Sequence, residues 1–121
     1  MIDIKRLETI VAEFAEKYNF LLWKDIANVV TKSKPMFTKK QLQMDGKTYV
    51  QITKHTEKNN GKNKNYLLLY IGKIDFTIEG SPDEISVDTD GDGFGINVSD
   101  FSDEQTLIET MIEKCKEYNH L

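Results

Sequence analysis

The spacing of apolar residues changes twice along this chain, and that change limits the fold more than any other feature of the sequence. Ile4, Leu7, Ile10, Val11, Phe14 and Tyr18 recur every three or four residues, with Lys5, Glu8, Glu13, Glu16 and Lys17 placed around the rest of the wheel. Such a period predicts an amphipathic helix of about four turns. Asn19 interrupts it. Trp23, Ile26, Ala27 and Val30 then predict a shorter helix that stops before Pro35, because the residue preceding a proline is pushed out of the helical region.

From Met36 the period falls to two. Thr38, Lys40, Leu42 and Met44 share one alternating face, Asp45-Gly46 is a two-residue turn dipeptide, and Thr48, Val50 and Ile52 continue beyond it, so a hairpin is expected. Glu57 to Asn65 contains no apolar side chain and is rich in loop formers, which predicts a mobile exposed connection. Tyr66 to Ile71 is apolar on both faces, as an inner strand covered on both sides would be. Ile74, Phe76 and Ile78 restore a single apolar face, and Gly72-Lys73 admits either a turn or a bulge in one long strand.

Ser81-Pro82-Asp83 marks a turn. Ile85 and Val87 lead into Asp88-Thr89-Asp90-Gly91-Asp92-Gly93, with Phe94, Ile96 and Val98 leading out, so a hairpin with an acidic tip is expected. Ser102 followed by Gln105 forms a capping-box pattern, and Leu107, Ile108, Met111, Ile112 and Cys115 make the inward stripe of a closing helix. Helical stripes need an apolar surface to cover, and the sheet supplies one. The expectation is a single α+β domain over residues 1–121, an antiparallel sheet of four to six strands with the N-terminal and C-terminal helices packed on one face. A chain of 121 residues with 39% hydrophobic content suits one core.

Charge is distributed unevenly. Residues 1–30 carry a net charge of -1, residues 31–75 carry +7, and residues 76–121 carry -10. Such asymmetry points to a partner of opposite charge, or to two neighbouring segments that cancel each other's field. Arg6 is the only arginine among 16 basic residues. Lysine lacks the planar fork that reads bases or clamps phosphates, which disfavours base-specific recognition. Lysine and asparagine richness suits the coding bias of an AT-rich bacterial or phage genome. No apolar run reaches the ~20 residues of a membrane span, the first residues lack a secretory signal, and one cysteine, Cys115, cannot make an internal disulfide. A cytoplasmic location is therefore expected.

Asp88-x-Asp90-x-Asp92-Gly93 carries the sharpest chemical pattern, since aspartates at alternate positions converge on a hard cation. The string from Asp88 to Gly95 is similar to the loops of EF-hand, dockerin and thrombospondin type 3 repeats, over these few residues only. The resemblance implies calcium held by Asp88, Asp90 and Asp92, with Asp100 or the Phe94 carbonyl completing the shell. Two departures stand against it: the twelfth position is Ser99 where an EF-hand has glutamate, and the ninth is Ile96. Otherwise the stretch is a solvated turn.

Lys54, Lys58, Lys62 and Lys64 form a second candidate, with His55 nearby and Tyr49 and Tyr66 on adjoining strands. Cations beside aromatic rings follow a nucleic-acid backbone and stack bases, or meet an acidic protein surface. The catalytic inventory is thin. His120 is near a terminus expected to fray, His55 is on a polar face, and Cys115 is on an apolar stripe; no phosphate loop or nucleophile elbow appears. The expected function is a small non-enzymatic binding or inhibitory protein of bacterial or phage origin, of immunity or anti-defence type. It would contact another protein through an acidic face that includes Asp88, Asp90, Asp92, Asp100 and Asp103. The alternatives are a nucleic-acid-associated protein using the lysine stretch, and a calcium-binding module.

Overall fold

The computed structural model describes residues 2–30, 38–78, 85–87 and 93–121. Helix α1 (Ile4–Tyr18) starts at Asp3, whose carboxylate accepts the Arg6 N–H at 2.8 Å, and ends at Asn19 in the left-handed conformation. The Phe20 N–H then closes back on the Ala15 carbonyl at 2.8 Å, which ends the helix without orphaning that group. Strand β1 (Leu21–Leu22) leads directly into helix α2 (Trp23–Val30), and helix α3 (Lys39–Met44) precedes strand β2 (Thr48–Asn59). Strands β3 (Lys62–Lys73), β4 (Phe76–Ile78), β5 (Ile85–Val87) and β6 (Phe94–Asn97) follow, then a 3-10 turn (Val98–Asp100) and helix α4 (Glu104–Glu117).

The main sheet has the order β1-β2-β3-β6, and β4 pairs with β5 in a separate two-stranded sheet. The α+β class holds, with one correction: β1 runs parallel to β2, so the sheet is mixed. Among the described residues two helices lie between those strands, and a helical crossover is what a parallel neighbour requires.

Val50, Ile52, Leu69, Ile71, Phe94 and Ile96 share one face of the sheet, as the pairings Val50↔Ile71, Ile52↔Leu69, Leu69↔Ile96 and Ile71↔Phe94 require. They join Leu7, Ile10, Val11 and Phe14 of α1 and Leu107, Met111 and Cys115 of α4 in one core. Both long helices therefore cover the same face. Ile26 and Val30 of α2 gather with Tyr49 and Ile74 in a second cluster that takes in Tyr70, from the opposite face. Strand β3, inner in the sheet, thus serves both clusters, as its unbroken apolar run predicts.

Three local expectations are overturned. Thr38 to Met44 is a helix, not a strand. Thr38 Oγ1 accepts the Gln41 N–H at 3.1 Å while Gln41 Oε1 accepts the Thr38 N–H at 2.9 Å, a reciprocal capping box. Gln41 is buried and also donates to the Val29 carbonyl at 3.0 Å, which fixes α3 against α2. Those bonds outweigh a four-residue alternation that buries little, Leu42 being 58% exposed. Glu57 to Asn65 is not a loop. β2 and β3 pair continuously from Thr48↔Lys73 to Asn59↔Lys62, and Asn60 and Gly61 turn the chain with φ of 49° and 78°. Positive φ at both central residues is the signature of a turn whose twist matches the flanking strands. Finally, β5 pairs with β4 and β6 with β3, so among the described residues the two strands do not pair as the expected hairpin, whose acidic tip, residues 88–92, lies outside them.

Candidate functional site

Past Val50, β2 leaves the shelter of β1, and beyond Thr53, where β6 stops pairing with β3, β2 and β3 run on as a two-stranded arm. Between residues 53 and 67 the arm carries four lysines and one carboxylate, Glu57. Lys54, Lys58, Lys62 and Lys64 are all exposed, and among the described residues none of them forms an ion pair. Strand alternation divides them. Lys54 and Lys58 share the face of Val50 and Ile52, while Lys62 and Lys64, opposite Asn59 and Glu57, share the face of Gln51 and Thr53. The four lysines thus form two pairs on opposite faces of one projecting ribbon.

The aromatic residues expected beside them part company. Tyr49 is buried, packed on Trp23 with ring centroids 5.0 Å apart, and offers no open ring to a ligand. Tyr66 stacks on His55 across the arm at 5.5 Å and 17°, and His55 Nε2 lies 2.9 Å from Thr53 Oγ1. That stacked pair shares a face with Lys62 and Lys64.

At the root of the arm, a groove of about 460 Å³ runs between α1 and the outer edge of β2. Ile4 and Val11 line it from the helix, Leu22 and Trp23 from the junction of β1 and α2, and Ile52 and Lys54 from the strand. Nothing in the apolar periodicity announced this groove. The signal was the shortness of the apolar run before Trp23, which lets β1 cover only two residues of β2.

The acidic candidates are differently placed. Asp88, Asp90 and Asp92, the expected calcium ligands, lie outside the described residues. Among the described residues no group of three or more His, Cys, Asp or Glu side chains gathers around a point that would hold a metal. The Gly93 backbone passes so close to Tyr70 that an added Cβ would overlap the tyrosine ring. Asp100 is exposed in the 3-10 turn.

Asp103, not Ser102, is the N-cap of α4. Its carboxylate accepts the Thr106 hydroxyl at 2.8 Å and the Gln105 N–H at 3.0 Å, and those bonds hold it below the usual carboxylate range. Glu104 meets Arg6 in a two-pronged ion pair, Nε to Oε1 and the second nitrogen to Oε2 at 2.9 Å, which likewise lowers its pKa. The one arginine of the chain thus ties α1 to α4.

Cys115 and His120 are both packed into the fold. Cys115 is fully buried, and burial pushes its thiol up to about 12. His120 is not at a frayed end. Asn119 adopts φ of 62°, the His120 N–H reaches the Cys115 carbonyl at 2.7 Å, and the imidazole packs near Phe94 with Nδ1 3.3 Å from Thr48 Oγ1. This is the same left-handed asparagine closure that ends α1. No helix among the described residues is long and apolar enough to cross a membrane. No protein-family model matches the chain, and no curated protein or solved structure is significantly similar to it. Function has to come from the geometry of the chain itself.

Proposed function

We propose that this chain is a non-enzymatic binding protein of inhibitory type that acts by protein–protein contact, with the cationic arm and the groove at its root as the contact surface. The observation that carries the reading is the projecting ribbon of exposed lysines beside an apolar groove. Such a surface contributes field and approach rate through its rim and affinity through its apolar centre. The acidic residues support a contact surface less directly, because Asp103 and Glu104 are engaged in holding α4 and α1. The test is affinity capture from a bacterial lysate, with partners identified for the parent and for the triple variant Lys58→Gln, Lys62→Gln, Lys64→Gln. The variant should keep the parent's fold and lose the captured protein. Equal recovery on parent and variant would refute the arm as the contact surface.

A second reading draws on the His55–Tyr66 stack, which shares its face with Lys62 and Lys64. Aromatic rings beside cations bind single-stranded nucleic acid without sequence preference. That reading requires a mobility shift with oligonucleotide at low salt, weakening steeply as salt rises. No shift at low salt removes it.

A further inference from the structure

β1 pairs with β2 only at Leu21 and Leu22, opposite Tyr49 and Val50, and the chain then leaves the sheet as α2 begins at Trp23. On that flank β2 continues from Gln51 to Asn59 with no strand beside it among the described residues. The lane that β1 vacates is the groove already described, walled by α1 on one side and by Ile52 and Lys54 on the other. An open sheet edge with an apolar wall along its lane has both parts that strand addition requires. The edge supplies main-chain hydrogen bonds, and the wall seats alternate side chains.

We infer that an extended acidic segment of a partner protein adds to the outer edge of β2 along residues 51–58. This rests on the reading of the arm as a protein-contact surface and specifies how the contact is made. Val50, Ile52, Lys54 and Lys58 fall on one face of β2, so side chains on the matching face of an added strand meet apolar groups first and ammonium groups next. The segment that fits has apolar side chains at alternate positions near Ile52, followed at the same spacing by carboxylates facing Lys54 and Lys58. Lys24 also lines the groove, where Glu8 is the only carboxylate among the described residues. Charge also argues against a second copy as the occupant. Two β2 edges paired about a two-fold axis near Thr56, the middle of the open edge, would set Lys54 of one copy against Lys58 of the other, and like charges opposed across a ladder destabilise it.

Random nine-residue peptides displayed on phage and selected on the intact protein test this. The expected consensus alternates apolar residues and then Asp or Glu in the same phase. A synthetic peptide of that consensus should slow amide exchange at residues 51–58. N-methylation of one alternating set of its backbone nitrogens should abolish binding while the other set is tolerated. The double variant Lys54→Glu, Lys58→Glu changes only exposed side chains and should weaken the peptide by about tenfold or more. The absence of any enriched acidic consensus, or indifference to N-methylation in both sets, would overturn strand addition. A concentration-dependent dimer that the peptide dissolves would assign the edge to a second copy and overturn it as well. If the triple lysine variant still loses its captured protein while the N-methyl series is indifferent, strand addition fails and the arm stands; capture indifferent to that variant overturns the arm itself.

Discussion

Around the start of α4 the charged side chains are tied into the fold, whereas on the hairpin arm they are not. Arg6 is clasped by Glu104, and Asp103 caps the helix. Four lysines and a glutamate stand on the arm without an ion pair among the described residues. The two regions differ as much in burial: Leu107, Met111 and Cys115 have no exposed surface, and the arm beyond Thr53 is exposed until Tyr66. Charge near the helices positions elements, while charge on the arm does nothing for packing. A field maintained on a surface that does not need it for stability is available for recognition.

This contrast can be broken or sharpened by substitution. Leu107→Ala should have the largest effect, a loss of about 2–5 kcal/mol in chemical denaturation, because it opens a cavity where α4 meets the sheet. A loss below about 1 kcal/mol would mean the site collapses freely and the helix is not firmly packed. Gly93→Ala comes next, at about 1–3 kcal/mol, since the added methyl must displace the Tyr70 ring. In a Tyr70→Ala background, Gly93→Ala should cost much less than it does in the parent if the overlap is the cause.

Asp103→Ala should lower the melting midpoint by less than either, through the missing cap. Acid should do the same to the parent. The Asp103 and Glu104 pKa values are depressed in the folded protein, so their stabilisation is fully present above the ordinary values of 3.8 and 4.5 and fades as pH falls through the lower folded values. Asp103→Ala should therefore narrow its gap to the parent in strong acid, and a gap constant with pH would contradict the cap. The smallest effect on stability belongs to Lys58→Gln, Lys62→Gln and Lys64→Gln together, which should leave the melting midpoint where it was.

The apolar pattern made the helices, the inner strand and the shared face of α1 and α4 legible, because burial imposes a period that survives in the sequence. Two misreadings have one physical origin. Thr38 to Met44 and Glu57 to Asn65 bury few apolar side chains, so there the backbone is decided by short-range hydrogen bonding instead of by burial. The Thr38–Gln41 capping box and the Asn60-Gly61 turn were both written in the residues, but neither has a hydrophobic stripe beside it. The lysines were visible as a cluster, and their split into two pairs was not, since it follows from a register that only the turn at Asn60 sets. The groove was hidden for a further reason. It comes from what β1 does not cover, and the end of a two-residue strand leaves no periodic trace.

Hydrogen exchange of the protein alone and bound to its captured partner tests the division between arm and body most directly. New protection should appear at residues 51–58 and little should change along α4. Protection concentrated instead around Asp100, Asp103 and the first turn of α4 would contradict the account and return the contact to the acidic side.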